Sequence, residues 1–155
     1  MKLQVDWGRP IVLNRNRNSF GYMLDLSRLT DRPGVYIFGR QWGSGFEALY
    51  VGKAENIQSR VKGQLNNLRL MEHLRTAKTG KRVLLTGMFV TKRGQQVDRG
   101  LRLMERALIR YFLSEGHDLV NMQGTQIRRH EIESTGRHPK RFFPTLMYLE
   151  RTRRE

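Results

Sequence analysis

Two short apolar runs separated by a glycine-rich segment place the strongest constraint on the fold of this 155-residue chain. The first run, 35–38, is β-branched and aromatic, and the second spans 48–52. Between them, residues 39–45 hold three glycines and no periodic pattern, which is typical of a turn. The sequence therefore predicts a β-hairpin whose side chains alternate between two faces, so that Tyr36 shares a face with Phe38.

The segment after this hairpin has apolar residues at helical spacing. They form one stripe, which consists of Ile57, Val61, Leu65 and Leu68. We expect a helical region that begins near residue 56 and ends at Thr79-Gly80. Its polar side contains one acid, Glu72, and is otherwise strongly basic, with Arg60, Lys62, Arg69, Arg75, Lys78, Lys81 and Arg82.

Two more elements complete the expected order. Residues 83–90 are apolar on both faces, which predicts a central strand. A second helix is expected over 95–113, with Gly116 as its C-terminal stop. The order strand, strand, helix, strand, helix predicts an α+β fold with a small antiparallel three-stranded central sheet flanked by helices.

Two extensions flank this predicted core of residues 33–121. The N-terminal extension, 1–32, contains a short candidate strand at 11–13. The C-terminal extension, 122–155, is basic, has little periodicity before a candidate edge strand at 142–149, and is expected to pack on the core.

Composition limits the function classes. The chain has 29 basic and 14 acidic residues, a net charge of +15, and 38% apolar residues, too many for a disordered basic tail. This excess of positive charge predicts a polyanionic partner, nucleic acid before an anionic membrane surface. There is no cysteine, which excludes disulfides, thiolate zinc sites and cysteine nucleophiles. Without a secretory signal or a membrane-spanning stretch, we expect a cytoplasmic protein.

Glu105 is a carboxylate in the middle of an apolar helical stripe. At 100° per residue, Leu101 and Ile109 lie about 40° to either side of it. A carboxylate that faces a core needs a cation, a metal ion or several donors. One interpretation is a salt bridge to a basic side chain. The other is a Mg²⁺-type site completed by waters and a substrate phosphate, which the absence of an i, i+4 histidine pair favours over zinc.

Two tripeptides resemble the signature of a known family. Gly34-Val35-Tyr36 and Tyr50-Val51-Gly52 are similar to the paired motifs of the GIY-YIG nuclease superfamily, with Val in place of Ile at both centres. Four more residues follow in the family's order, namely Lys53, Arg60, Glu105 and Asn121. The resemblance covers about residues 33–121, and the turn segment makes the tyrosine spacing longer than in many members.

The resemblance implies a metal-dependent endonuclease that hydrolyses phosphodiester bonds in DNA. One divalent ion, Mg²⁺ or Mn²⁺, would be held by Glu105, and Tyr36 would act as the general base on water. An ordinary phenol is a poor base at neutral pH because its pKa is about 10. The nearby cations, Lys53 and Arg60, would therefore have to favour the phenolate.

Three further roles follow from the same resemblance. Arg60 would also clamp the phosphate with its fork of donors, which a lysine could not reproduce. Tyr50 would position water or substrate, and Asn121 would orient the site by hydrogen bonding. The alternative is a non-catalytic nucleic-acid-binding module that retains the fold.

The basic residues predict a surface that follows a phosphate backbone. Those expected to bind nucleic acid are Lys53, Arg60, Lys62, Arg69, Arg75 and Lys78, and the C-terminal residues Arg128, Arg129, Arg137, Lys140 and Arg141 fit the same surface. Solvated charge without a ligand is the alternative for each of them.

Overall fold

The computed structural model describes residues 2–120 and 126–151. The described residues form a mixed α+β structure with antiparallel sheets and three α-helices. The elements, in chain order, are β1 (Val5–Trp7), β2 (Ile11–Val12), β3 (Asn14–Arg15), β4 (Tyr22–Met23), a 3₁₀ turn (Leu26–Arg28), β5 (Gly34–Trp42), β6 (Gly45–Ala54), α1 (Ile57–Gln64), α2 (Leu68–Thr76), β7 (Lys81–Phe89), α3 (Val97–Ser114), β8 (Arg129–Glu133) and β9 (Leu146–Glu150).

The central sheet has five strands, so the expectation of three strands is wrong. The three expected strands are present as β5, β6 and β7, and β7 is central, as predicted. The two additional strands, β1 and β2, come from the N-terminal extension and pair with the far side of β7. They satisfy backbone groups that an uncovered β7 would leave unpaired at the sheet edge.

The hairpin β5–β6 divides its side chains between two faces as expected. Tyr36 and Phe38 lie in the core between the sheet and helices α1 and α2. The alternate residues, Val35 and Ile37, pack on the other face against α3. The sheet is therefore a middle layer between two helical layers, and both of its faces are buried.

A β-bulge interrupts the hairpin at Leu49. Phe38 pairs with Tyr50 and Gly39 with Ala48, so Leu49 has no residue opposite it. The extra residue reverses the alternation locally, and Leu49 and Tyr50 both contribute to the same core cluster. The Leu49 carbonyl accepts a hydrogen bond from the Val120 N–H at 3.1 Å, so the chain after α3 covers this edge of β6.

The helical region after the hairpin consists of two helices rather than one. Asn67 ends the connection between them and caps α2, because its side chain accepts a hydrogen bond from the Leu70 N–H. The new helix has a new register. Leu68, which was expected in the buried stripe, is 70% exposed, whereas Leu70, Met71 and Leu74 are buried.

The remaining elements agree in part with the sequence predictions. The long helix α3 lies close to the expected range, and Gly116 follows it with a φ of +85° that favours glycine. Strand β9 begins later than expected, and its partner β8 was not predicted. None of the helices in the described part of the chain has the length and apolar character needed to cross a membrane.

Arg82 does not belong to the basic surface assigned to it. It lies in β7, is only 9% exposed, and its guanidinium donates to four backbone carbonyls at the end of α2 and in the turn after it. The acceptors and distances are Leu74 (2.6 Å), Ala77 (2.8 Å), Lys78 (2.9 Å) and Gly80 (2.7 Å). Arg82 is therefore a structural residue that satisfies carbonyls a helix end leaves free.

Replacing Arg82 should destabilise the fold. We expect Arg82→Met to lower the free energy of unfolding by about 3 kcal/mol, because buried carbonyls lose their donors. Urea denaturation measures the change. Lys81→Met is the matched control, since Lys81 is exposed on the same strand. Equal stability of the two variants would contradict the structural role of Arg82.

Candidate active site

A cleft of about 500 Å³ lies beside strand β6, between helices α1 and α3. Strand β6 is at the edge of the sheet, so its end is accessible from the side. Five of the six residues that the resemblance assigned to catalysis line this one cleft: Tyr36, Tyr50, Lys53, Arg60 and Glu105. The sixth, Asn121, lies outside the described residues.

The two phenols are neighbours because of the strand register. Tyr36 lies opposite Gly52, and Tyr50 lies opposite Phe38, so the two tyrosines are diagonal neighbours on one face. Their ring centroids are 6.0 Å apart with an interplanar angle of 21°. Both side chains are fully buried, and both are among the residues that line the cleft.

Glycine is required in both tripeptides for reasons of space. A Cβ on Gly52 would overlap the Cζ and hydroxyl of Tyr36. A Cβ on Gly34 would overlap the Gly87 carbonyl on β7 and lie 2.6 Å from Cδ1 of Ile57. Gly52 therefore creates the space for the Tyr36 phenol, and Gly34 allows β5 to approach β7 and α1 closely.

Gln64 is a site residue that the sequence analysis missed. Its Nε2 donates to the Tyr36 hydroxyl oxygen at 2.9 Å and to the Tyr50 hydroxyl oxygen at 3.0 Å, and its side chain is buried. A signal was present in the sequence. Gln64 is seven residues after Ile57 and hence within about 20° of it on α1, so a polar residue stands on the apolar face.

Tyr50 is held in its neutral form. Burial is the main cause that raises the pKa of Tyr50, and the charge and hydrogen bond of Tyr36 raise it further. The hydrogen bond from Gln64 and the positive charge of Arg60 oppose this shift without cancelling it. Burial and the neighbouring phenol therefore favour the neutral form of Tyr50.

Glu105 extends from α3 into the cleft and is half-buried, next to the fully buried Leu101. Burial raises the pKa of Glu105, and the charges of Lys53 and Arg60, together with the Lys53 backbone N–H, act in the opposite direction. In the part of the chain that the structure describes, Glu105 has no ion pair within 4 Å. The simple salt bridge considered from the sequence is therefore not formed there.

The cleft is locally acidic in a basic protein. Three carboxylates line it, those of Glu55, Asp98 and Glu105, against the two cations of Lys53 and Arg60, a formal balance of −1. Asp98 was not anticipated, although it lies seven residues before Glu105 and so on the same face of α3. Its carboxylate also pairs with Arg102 at 3.2 Å.

The residues expected to bind nucleic acid are mostly on the surface. Lys53 is partly buried in the cleft, whereas the other five, Arg60, Lys62, Arg69, Arg75 and Lys78, are exposed. The guanidinium of Arg75 lies 4.8 Å from the ring centroid of Phe20, on the loop between β3 and β4. In the C-terminal set, Arg129 donates to the His117 carbonyl and stacks on Tyr148, so part of its role is structural.

Comparisons of the chain with models of known protein families, with curated proteins and with solved structures find no match in any of the three.

A methyl group at residue 52 should displace the Tyr36 phenol. We expect Gly52→Ala to cost about 2 kcal/mol of stability through steric overlap with Tyr36 and to reduce any activity of the cleft. Thermal unfolding measures the first effect. Gly63→Ala is the matched control, because a Cβ there meets nothing within 4 Å and alanine favours a helix. A Gly52→Ala protein as stable as the wild type would show that the glycine is not required for space.

Proposed function

We propose that this chain is a metal-dependent endonuclease of the GIY-YIG superfamily, which hydrolyses phosphodiester bonds in DNA. The observation that carries this proposal is the convergence of Tyr36, Tyr50, Lys53, Arg60 and Glu105 on one cleft. These residues come from two strands and two helices and are up to 69 positions apart in the chain. Packing of a core alone does not require polar residues from four elements to meet in one open cleft.

The donor set of the cleft fits a hydrated divalent cation rather than one enclosed by protein ligands. The described residues contain no group of three or more His, Asp or Glu side chains arranged to hold a metal ion. Mg²⁺ is commonly bound by one or two carboxylates with waters and substrate phosphates. Glu105, which forms no ion pair with any other described residue, would hold the ion, and Asp98 lies in the same cleft.

Charge balance gives the ion a reason to be present. Three carboxylates and two cations line the cleft, and one of the carboxylates, Asp98, is paired with Arg102, so the lining offers no excess of positive charge to a phosphodiester, which is itself an anion. A bound divalent cation makes the balance positive, and it supplies Lewis-acid stabilisation of the charge that develops on the phosphate.

The phenol pair supplies the general base in this proposal. As its phenolate, Tyr36 would take a proton from the attacking water. The water oxygen forms a bond to phosphorus while the bond from phosphorus to the leaving oxygen breaks, and the leaving oxygen takes a proton from solvent, so that the phosphodiester becomes a phosphate monoester and an alcohol. Tyr50 stays protonated, since burial and Tyr36 raise its pKa, and so it acts as a hydrogen-bond donor rather than as a second base. Gln64 donates to both phenol oxygens and would stabilise negative charge on Tyr36.

The two cations of the cleft would contact the phosphate. Arg60 is exposed on α1 at the side of the cleft, where its fork of donors can meet two phosphate oxygens. Lys53 immediately follows the second tripeptide and is partly buried, so its charge is less screened by solvent. Both would stabilise the transition state of phosphoryl transfer.

A non-catalytic nucleic-acid-binding module is the second candidate function. The complete burial of both phenols favours it, because buried tyrosines bonded to a glutamine also serve as structural side chains. This candidate predicts binding to DNA without strand cleavage, and removal of the Tyr36 hydroxyl would then affect stability alone.

Cleavage of supercoiled plasmid separates the two candidates. We expect nicking in the presence of Mg²⁺ or Mn²⁺, and its loss when EDTA removes the ion. Glu105→Ala and Tyr36→Phe should each reduce the nicking rate about a hundredfold or more, because each removes a group that acts on the transition state.

Two variants on α3 control for general effects of these substitutions. Glu115→Ala removes an exposed carboxylate that follows the far end of α3, and Tyr111→Phe removes an exposed phenol hydroxyl. Both should nick DNA like the wild type. Equal rates for Glu105→Ala, Tyr36→Phe and their controls would refute the assignment of the site.

Binding of duplex DNA should depend strongly on salt. Each phosphate contact contributes a slope of about −0.9 to log K against log salt concentration. We expect Lys62→Ala, which removes one exposed cation of α1, to reduce the steepness of that slope by about 0.9. Fluorescence anisotropy at several salt concentrations measures it. Lys92→Ala, outside the predicted surface, should leave the slope unchanged; a salt-insensitive wild type would contradict this surface assignment.

A further inference from the structure

An unbroken series of hydrogen bonds connects the start of α2 to the two phenols. The Leu70 backbone N–H donates to Oδ1 of Asn67 at 3.2 Å, and Nδ2 of Asn67 donates to Oε1 of Gln64 at 3.1 Å. Nε2 of Gln64 then donates to the oxygens of Tyr36 and Tyr50. These four side chains and one backbone group therefore form one connected network.

The direction of each bond in this network is determined by its first member. A backbone N–H can only donate, so the atom of Asn67 that faces it is the oxygen. The amide nitrogen of Asn67 must then face Gln64, where it requires an acceptor, and this places the nitrogen of Gln64 at the phenols. Amide orientations are otherwise ambiguous, but here a backbone group settles both.

We propose that Asn67 is a positioning residue, which acts through Gln64 to make both phenol oxygens hydrogen-bond acceptors on the side that faces α1. The geometry stands independently of function, whereas its catalytic consequence rests on the proposed nuclease activity. Asn67 lies outside the cleft and caps α2. The same side chain therefore both caps a helix and sets the direction of the hydrogen bonds to the phenol pair.

Hydrogen bonds in this direction stabilise negative charge on the Tyr36 oxygen. An amide NH₂ has two donors, one for each phenol oxygen. Tyr50 keeps its proton and interacts by hydrogen bonding with Tyr36, so the Tyr36 oxygen receives donors from two residues. A phenolate is stabilised by such donors, whereas an acceptor in the place of Nε2 would oppose it.

Asn67→Asp reverses the network without removing the helix cap. The carboxylate still accepts from the Leu70 N–H, and its charge is favourable at a helix N-terminus. It has no N–H to offer Oε1 of Gln64, so the Gln64 amide turns over and presents its oxygen to the phenols. We expect an unchanged or higher urea midpoint, a kcat for nicking reduced about tenfold to a hundredfold, and a KM within about twofold of the wild type.

A spectroscopic measurement tests the direction of the hydrogen bonds from Gln64 to the phenols without DNA. In protein labelled with ¹³C at tyrosine Cζ, the chemical shift follows phenol ionisation. We expect the phenol pair to lose its first proton at a pH about one unit higher in Asn67→Asp than in the wild type, which matches a tenfold change. Tyr36→Phe and Tyr50→Phe assign the two resonances.

Asn66→Asp is the matched control. It adds the same charge one residue earlier, on an exposed side chain whose nitrogen faces the Lys62 carbonyl rather than Gln64. It should leave kcat and the tyrosine titration unchanged. Asn67→Ser keeps a capping oxygen but loses the donor to Gln64 without adding charge, so its effect should lie between those of the wild type and Asn67→Asp.

The outcomes distinguish this inference from the proposed function. A tyrosine titration that is the same in Asn67→Asp, Asn66→Asp and the wild type overturns the inference, whatever happens to kcat. A wild-type protein that does not nick DNA overturns the proposed function, and the titration still decides the role of Asn67. A higher titration pH in Asn67→Asp alone, with a loss in kcat and little change in KM, supports both.

Discussion

The antiparallel register of β5 against β6 is the constraint on which the rest of the site depends. It places Tyr36 opposite Gly52 and Tyr50 opposite Phe38, so two phenols meet over a position with no side chain. A shift of one residue would move every side chain of one strand to the other face of the sheet. The phenol of that strand would then face α3 and could not reach Gln64. The bulge at Leu49 and the pairing of Leu49 with Val120 hold this register at the edge of the sheet.

The surface of the protein and the lining of the cleft differ in their balance of charge. The net charge of +15 favours a polyanionic partner, and α1 and α2 carry exposed cations that could contact phosphates in the proposed complex. The cleft itself is lined by more carboxylates than cations. In the proposed nuclease, such an arrangement would give binding through the surface as a whole and would make the reacting phosphate depend on a cation held by Glu105, whose carboxylate has no ion pair among the described residues.

The fold was predictable where periodic patterns are strong and was missed where pairing is decided by distant residues. The hairpin faces, the central position of β7 and helix α3 agree with the sequence predictions, because alternation and helical spacing report burial directly. The helical region differs from the predicted single stripe, because Asn67 caps a new helix whose register leaves Leu68 exposed. Strands β1 and β8 are too short or too polar to be distinguished from loops by composition, whereas β2 agrees with the candidate strand expected at 11–13.

The sequence by itself determined which chemical groups this protein can use. These include the tyrosines of the tripeptides Gly34-Val35-Tyr36 and Tyr50-Val51-Gly52 and a carboxylate on an apolar helix face, but no thiol. The tertiary structure alone decided which groups touch. The packing of α1 on the sheet brings the Gln64 amide to the phenols, and the amide of Asn67 to Gln64, which the sequence does not show. The sequence analysis placed Arg82 on a basic surface, whereas in the structure it is buried by the end of α2 and the turn that follows. The residue types are known from the amino-acid sequence, but hydrogen-bond partners depend on distances that only the folded chain defines.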